Sequence, residues 1–476
     1  MTSFIINDKE ISLNLRDGKA TLKTIRENLH LQGSKEGCGE GDCGACMVLL
    51  GENIGESTLR YKAINSCLLP TGELSGKHVV TIEGLNQKRL SLIQETFATE
   101  FAAQCGFCTP GFIIAFTGFL MTTTDLDKEE AIQSVSGNIC RCTGYVSIRR
   151  ALFAILKKLN SSDFKKTKPG SAARVKLLID ENILPSYFKE IHKKIKGMQP
   201  AGIPILSSHK IIAGGGTDIA IQKRDILENQ DIYFISERKD LREIFLNEGK
   251  CYIGGAVTFE ELRTSKIMEK IYPQGKNVFQ LIASLPIRNR ATVAGNIINA
   301  SPIGDMTVFF LAMDAILSFS DGINKREIPL REFYKGYKTM DKKDNEILEW
   351  IIINVPDKNT FLHFEKVSKR KYLDIASVNT GICITVKKHI IEKVGISAGG
   401  VGPTPLYLSK TCEYLTGKKI EESIIKDALK IANEEISPIS DVRGTEKYKR
   451  LLLRNLLLSH FIELSPKTIN QNILSL

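Results

Sequence analysis

The chain opens on alternating apolar and polar positions. FIIND (residues 4–8) and EISLNL (residues 10–15) alternate about a turn, which predicts a β-hairpin with a buried face. ATLKTIRENLHL follows with Leu22, Ile25 and Leu29 at helical spacing, and MVLLG, YKAINSCLL and HVVTIEGL supply further strands. Near residue 83 the period changes to that of helices. SLIQETFATEFAAQ gives one. A second is capped by Thr109 with Pro110 in its first turn, DKEEAIQSVSGN gives a third ending near Gly137–Asn138, and Ile148 to Leu159 a fourth. SSDFKKTKPGSA (residues 161–172) is polar, lysine-rich and contains Pro-Gly, the composition of an interdomain linker.

Beyond it, LPSYFKEIHKKIKGM reads as a helix, and a short apolar strand, Lys210 to Ala213, runs into a glycine triplet. From about residue 357, FEKVSKRKYLDIASVNTGICITVKK places a basic run before alternating apolar positions. EESIIKDALKIANEEI and EKYKRLLLRNLLLSHFIEL are amphipathic helices, and the stripe Leu451 to Leu458 reads as core. The organisation expected is α+β and multidomain: a β-grasp, ferredoxin-like domain at 1–82, a four-helix domain at 83–160, a linker at 161–172, then domains at 173–350 and 357–470.

Composition narrows the class. Of 476 residues 42% are hydrophobic, enough for ordinary cores, yet no apolar run reaches the roughly 18 residues of a membrane span. The longest candidate, Gly111 to Met121, is too short. MTSFIINDKEIS reads as strand and turn rather than a signal sequence, so the cytoplasm is the expected compartment. A net charge of +11 invites nucleic acid, but the lysines are scattered and no basic stripe is interleaved with aromatics. Two four-thiolate clusters and a bound dinucleotide would bring the holo chain to about +5. There is no nucleophile elbow, H-E-x-x-H or P-loop. His192, His209 and His363 read as ordinary hydrogen-bonded residues.

The cysteines carry the strongest signal. KEGCGEGDCGAC spaces Cys38, Cys43 and Cys46 as C-x4-C-x2-C, with Cys67 following in INSCLLP, the plant-type [2Fe–2S] spacing. Its glycines allow a loop to wrap two irons and aim N–H groups at sulfur. Cys105 and Cys108 in QCGFCTPG, with Cys140 and Cys142 in GNICRCTGY, make a second four-thiolate set. Cys108 lies just before a helix start, where negative charge is favoured. Eight such cysteines at one end of a long chain do not resemble a disulfide scaffold. Structural zinc suits the second set better than the first. Cys251, Cys383 and Cys412 read as buried apolar residues.

Two further segments look ligand-shaped. Gly214-Gly215-Gly216-Thr217-Asp218 after a strand offers N–H groups to a pyrophosphate, although it is not G-x-G-x-x-G and no clear βαβ unit surrounds it. IRNRATVAGNIINASPIGD (residues 287–305) is rich in small polar residues between apolar flanks.

In this order KEGCGEGDCGAC, QCGFCTPG and GNICRCTGY resemble the iron–sulfur portion of the xanthine dehydrogenase (molybdenum hydroxylase) family. AGGGTDIA, IRNRATVAGNIINASPIGD, EKVSKRKYLDIA and AGGVGPTP resemble its flavin portion, of the CO dehydrogenase flavoprotein type with a C-terminal α/β subdomain. The resemblance covers about residues 1 to 465, and its order is that of an iron–sulfur/FAD subunit. It implies an electron-transfer role beside a molybdopterin-binding large subunit, in a heterodimer or heterotetramer. That partner would oxidise hypoxanthine and xanthine to urate, with electrons crossing the cluster on Cys105, Cys108, Cys140 and Cys142, then that on Cys38, Cys43, Cys46 and Cys67, then FAD, and leaving on NAD+. It implies FAD contacts at Ile211, Ile212, Ala213, Gly214, Gly215, Gly216, Thr217, Asp218 and Ile219, at Thr292, Asn296, Ser301 and Asp305, and at Lys366. Where the family often stacks an aromatic residue on the flavin stands Ile282, which leaves the electron acceptor open. The competing expectations are the same chain serving an aldehyde or N-heterocycle hydroxylase, and a zinc-stabilised binding or assembly protein.

Overall fold

The computed structural model describes residues 1–55, 58–198 and 211–470. His209 and Lys210 lie outside them. The described residues form two compact units: one takes in residues up to 237 together with Ser284–Arg290, the other Arg238–Ala283 and the residues from Ala291 onward.

In the first unit β1 (Thr2–Ile6), β2 (Lys9–Leu13), β3 (Met47–Gly55), β4 (Thr58–Asn65) and β5 (His78–Val80) form one sheet in the order β2-β1-β5-β3-β4. The β1–β2 hairpin is antiparallel, as its alternation predicts, and β5 joins β1 in parallel. The turn rests on Asn7, whose φ is +54° and whose Oδ1 accepts from the Thr81 N–H at 2.9 Å. Side chains alternate between two cores. Phe4, Ile6, Val48, Leu50 and Val79 pack on one face with Ile25 and Leu74. Ile5, Met47, Leu49 and Val80 pack on the other with the helical domain. A sheet buried on both faces explains the nearly unbroken apolar run of β3. ATLKTIRENLHL is shorter than its period predicts, one turn at Thr21–Lys23 running into a π-turn at Thr24–Asn28.

The helical domain is built round Thr109–Thr122, buried on all sides from Gly111 to Met121. At 14 residues it is about 21 Å long, a core helix rather than a span. No helix among the described residues is long and apolar enough to cross a membrane. Its N-cap is Cys108, not Thr109: the Cys108 carbonyl already accepts from Phe112, and the Thr109 hydroxyl is left buried without a partner. Leu92–Thr99, with a Ser91–Gln94 capping box, Lys128–Ser134 and Val146–Lys158 surround it.

Residues 161–172 are folded rather than extended. They contain the helix Ser161–Lys166 with Phe164 buried, and Ser171 caps the helix Ala172–Asp180. The reason is Arg174. Its guanidinium lies 4.6 Å from the Phe164 ring centre and donates to the carbonyls of Leu120, Thr123, Phe164 and Thr167 at 2.6–3.1 Å. Leu178, Phe188, Ile191 and Ile195 then extend the iron–sulfur core. Further on, β6 (Ile211–Ala213) pairs in parallel with β7 (Ile232–Phe234), with the helices Ile219–Gln222 and Arg224–Asn229 between them. This is a βαβ crossover where the sequence shows none, because helices of four and six residues carry too little periodicity to register.

The second unit has an antiparallel sheet in the order β11-β10-β14-β9-β8, from β8 (Ile244–Asn247), β9 (Lys250–Gly254), β10 (Ile316–Ser320), β11 (Lys325–Pro329) and β14 (Ile347–Asn354), with a small hairpin of β12 (Tyr334–Gly336) and β13 (Thr339–Met340). A second sheet runs β15 (Thr360–Val367), β16 (Val378–Lys387), β17 (Ile390–Gly399), β18 (Leu406–Tyr407). Glu422–Glu435 and Glu446–Leu464 share a core with it, burying Leu452, Leu453, Leu456, Leu457 and Leu458 but not Leu451. The helix Asp305–Ala312 also lies on this sheet, so close that a Cβ on Gly395 would meet the Ala312 oxygen at 2.2 Å. Cys251 and Cys412 are buried and Cys383 is half-buried.

Two buried imidazole sites tie these layers to pH. His78 bonds Tyr61 at 2.7 Å and the Asn7 carbonyl at 2.8 Å, and burial lowers its pKa to about 3. His460 lies 2.8 Å from both His363 and Thr380, and burial lowers it and His363 alike. Folded pKa values below the unfolded one of about 6.5 mean that stability is complete above that pH and lost as pH falls below it. Denaturant titrations at pH 7.5 and pH 5 are expected to differ by about 2 kcal/mol for each histidine kept neutral. Separately, Arg174→Met strands four carbonyls and is expected to cost about 3 kcal/mol in urea unfolding, with faster proteolysis at residues 161–172.

Candidate iron–sulfur and flavin sites

The eight predicted ligands gather as two sets, each as pairs. Cys46 and Cys67 place their sulfurs 3.4 Å apart, and Cys105 and Cys142 3.6 Å apart. Disulfide sulfurs would lie at about 2.05 Å, whereas two thiolates sharing one tetrahedral metal lie at about 3.8 Å. All eleven cysteines are free. Among the described residues no three His, Cys, Asp or Glu side chains surround one ion position. Pairs are what a binuclear centre takes, two thiolates on each iron.

Within every pair one thiol is held low and its partner high. Cys38 falls to about 4 through its hydrogen bond with Cys43, and the same bond pushes Cys43 up. Cys46 is lowered chiefly by Cys67, which rises in turn. Cys105 is lowered first by the Phe107 N–H and then by Cys142, which rises. Burial, then the bond with Cys140, takes Cys108 to about 12. Burial opposes the lowering of Cys140, but bonds from Thr143, Cys142 and Cys108 outweigh it. Each pair thus has one thiol that gives up its proton more readily than its partner, and a metal would displace the protons that remain.

Local backbone shapes the first loop. Gly39, Gly41 and Gly44 have φ between +69° and +80°, and a Cβ on Gly37 would lie 2.8 Å from the Cys43 sulfur. Cys67 sits in the 3-10 turn Ser66–Leu68 at the end of β4. The two sets adjoin. The Cys43 carbonyl accepts from the Ile139 N–H at 3.0 Å, next to Cys140, and the Gly44 carbonyl accepts from Asn138. Each set mixes buried and exposed thiols: Cys46 and Cys67 are buried and Cys38 exposed in the first, Cys140 is buried and Cys105 and Cys142 exposed in the second.

The glycine loop lies against the first set. Cys46, Cys67 and Leu68 share a hydrophobic cluster with Ala213, Ala220, Leu227, Ile232 and Phe234, and with half-buried Ile211 and Ile219. Gly216 has φ +77°, and a Cβ there would lie 3.6 Å from the Leu68 oxygen. The N–H groups of Gly215, Gly216 and Thr217 have no partner among the described residues, which suits a phosphate cradle. Gly214 and Ile212 complete the strand and turn, and Asp218 opens the helix Ile219–Gln222.

From Ala291 on, the segment 287–305 belongs to the other unit, while residues 287–290 belong to the first. Thr292 caps the helix Val293–Asn299, accepting from Gly295 at 3.0 Å. Asn296 Oδ1 accepts from the Thr307 N–H at 3.1 Å, and Ser301 Oγ makes only a 3.5 Å contact with Ile303 N. Lys366 and Asp305 come together, Nζ to Oδ2 at 2.7 Å, and Lys366 also donates to the Leu281 carbonyl. Asn379, which the sequence reading passes over, donates to Asp305 Oδ1 at 2.5 Å while its own Oδ1 is buried without a partner. Ile282 is buried beyond the helix Gly275–Phe279. Arg290 and Glu73 were also missed, since an ion pair between residues so far apart in sequence leaves no local signal.

Four family models match in order: a 2Fe-2S iron-sulfur cluster binding domain (4–70), a [2Fe-2S] binding domain (81–153), an FAD binding domain in molybdopterin dehydrogenase (185–356) and a CO dehydrogenase flavoprotein C-terminal domain (363–464). The chain has the domain content of the iron–sulfur/FAD portion of the molybdenum hydroxylases. It is 28% identical to xanthine dehydrogenase 1 of Arabidopsis thaliana over 96% of its own length, and 26% identical to aldehyde oxidase 1 of Bos taurus over 97%. The chain spans 39% of the length of each of these molybdenum hydroxylase relatives. A Cu,Mo-CO dehydrogenase structure matches 53% of this chain and 88% of its own, at 24% identity and a TM-score of 0.50. Quinoline 2-oxidoreductase from Pseudomonas putida matches 56% of this chain and 92% of its own, at 21% and 0.50. These two structural likenesses show a shared fold. With two 2Fe-2S domains beside an FAD domain, the molybdenum hydroxylase comparisons support an electron-transfer role in an oxidoreductase.

The Gly37 contact gives a direct test. Gly37→Ala is expected to lose the first cluster and about half the iron and acid-labile sulfide, leaving the second. Full iron in that variant would contradict the role of the first loop.

Proposed function

We propose that this chain carries electrons for a xanthine dehydrogenase, taking them from a molybdopterin-bearing partner through two [2Fe–2S] clusters to FAD and delivering them to NAD+. The clusters supply one-electron chemistry, and the flavin couples it to a two-electron acceptor. Eight cysteines hold the clusters, in the two sets described. Residues 211–219 and Thr292, Asn296, Ser301, Asp305 and Lys366 hold the FAD.

One observation carries the reading: the buried thiols Cys46 and Cys67 pack in the same hydrophobic cluster as the elements flanking the glycine loop. The larger number of exposed thiols in the second set supports its place as the entry point for electrons. Cys105 and Cys142 are exposed, and exposed Phe101, Phe107, Tyr145 and Val146 lie in the same two cysteine segments. Phe101 and Tyr145 are displayed from left-handed backbone, with φ of +54° and +66°. That apolar face suits the docking of the electron-donating partner. From there the Ile139–Cys43 hydrogen bond joins the second set to the first, and Leu68 joins Cys67 to Gly216. Free thiols throughout suit a reducing compartment such as the cytoplasm.

A second reading is the same electron chain beside an aldehyde or N-heterocycle hydroxylase, favoured by the equal coverage of aldehyde oxidase 1. Ile282 in place of an aromatic side chain bears on the acceptor in either case.

An anaerobic visible spectrum before and after NADH tests the proposal. Bleaching of both the iron–sulfur and flavin bands is the expected result. Bands that persist would remove NAD+ as the acceptor, and a chain that stays colourless after reconstitution with iron, sulfide and FAD would remove the whole reading.

A further inference from the structure

A buried ion pair stands behind the glycine loop, joining Arg290 of the segment 287–305 to Glu73, which lies outside every motif singled out in the sequence. Arg290 Nη2 lies 2.6 Å from Glu73 Oε1 and donates at 2.6 Å to the Gly215 carbonyl. Arg290 Nη1 adds a 3.4 Å contact to Glu73 Oε2, and Ser236 donates to that oxygen at 2.8 Å. Arg290 is 8% exposed and Glu73 3%. All four residues belong to the first unit.

Peptide planarity converts this contact into an orientation. In a trans peptide the C=O and the following N–H point in opposite directions, so a guanidinium that holds the Gly215 oxygen turns the Gly216 N–H away from itself. No cis peptide occurs among the described residues. That N–H is one of those left without a partner. Gly216 alone suits the position: its φ is +77°, and a Cβ would press on Arg290 Nη2 at 3.4 Å.

We propose that Arg290 and Glu73 are positioning residues for the dinucleotide phosphate, holding the Gly215–Gly216 peptide so that its N–H faces the pyrophosphate. The proposal rests on the reading of residues 214–216 as the FAD phosphate loop. Bulk stability does not account for the pair, because a buried ion pair is commonly no more stable than apolar side chains of the same volume. What it gives is a single loop conformation. Arg290 Nε is buried without a partner, an orphaned donor of the kind that ordered water satisfies. Glu73 also sits in the turn Thr71–Leu74, soon after Cys67. The domain that holds the first cysteine set therefore fixes the phosphate loop as well, and one rigid contact sets the spacing of two cofactors.

The test uses the full-length chain stripped of flavin, titrated with FAD and with ADP, which retains the pyrophosphate. The variants are the double Glu73→Met/Arg290→Met, which removes both charges together and so avoids stranding one, and Arg290→Lys. The double variant is expected to bind both ligands about tenfold more weakly, the worth of one to two hydrogen bonds, with iron and sulfide unchanged. Lysine keeps the charge without the fork, so an intermediate loss of about threefold is expected. A double variant that melts lower yet binds FAD as the unaltered chain does would reduce the pair to a structural role and overturn the proposal. An unaltered chain that binds neither FAD nor ADP would overturn the phosphate-loop reading, and the proposal with it.

Discussion

Thiolates repel one another, and no side chain chemistry other than a metal rewards bringing four together. The polypeptide must therefore hold each set in place before any iron arrives, and most of the first unit is arranged to do so. The Gly37–Cys46 loop closes only because several of its residues adopt left-handed backbone and because Gly37 offers no Cβ to the Cys43 sulfur. Its far wall is the sheet, which delivers Cys67 at the end of β4. The second set hangs from the start and surroundings of the fully buried helix Thr109–Thr122. That helix can be apolar on every side only because β3 and β4 cover one of its faces and shorter helices the rest.

The same constraint accounts for the double-sided sheet. A ferredoxin-like sheet alone would bury one face and leave the other wet. Here Ile5, Leu49 and Val80 face the helical domain while Phe4, Val48 and Val79 face the local core. Packing of this kind is stiff, since a close-packed core offers few alternative arrangements. Stiffness suits a chain whose work is to keep redox groups at fixed separations.

What the sequence made legible follows from how local each signal is. C-x4-C-x2-C, the paired cysteines and the alternating hairpin are short patterns; the folded chain forms the hairpin and brings Cys46 to Cys67 and Cys105 to Cys142. The fold class is likewise legible, because glycine and cysteine punctuation marks each module. Three features were misread for a common reason. The segment 161–172 looks like a linker by composition, but Arg174, farther along, folds it by binding carbonyls from the helical domain. The β6–β7 crossover uses helices too short to show a period. The Thr109 cap fails by a single residue, because Cys108 takes the capping position. Asn379, Glu73 and Arg290 act across long sequence separations, where a single sequence carries no covariation to reveal them.

The residues proposed to hold FAD include a device that would bear on how an anionic dinucleotide is held. Lys366 pairs with Asp305 in the second unit and Arg290 with Glu73 in the first, and in each the cation is almost fully buried and already neutralised. Neither pair offers net positive charge to a pyrophosphate carrying roughly −2. Under the proposed FAD reading, attraction would come from directed dipoles, the N–H groups of the glycine loop without a partner among the described residues, with the Arg290–Glu73 pair fixing where the Gly216 dipole points. A bare lysine in the same place would attract phosphate from farther away, but it would also attract any other anion and would leave the loop free to turn. Neutral pairs exchange long-range attraction for geometry, so on the proposed reading the selectivity of the glycine loop would lie in the shape of its backbone rather than in charge.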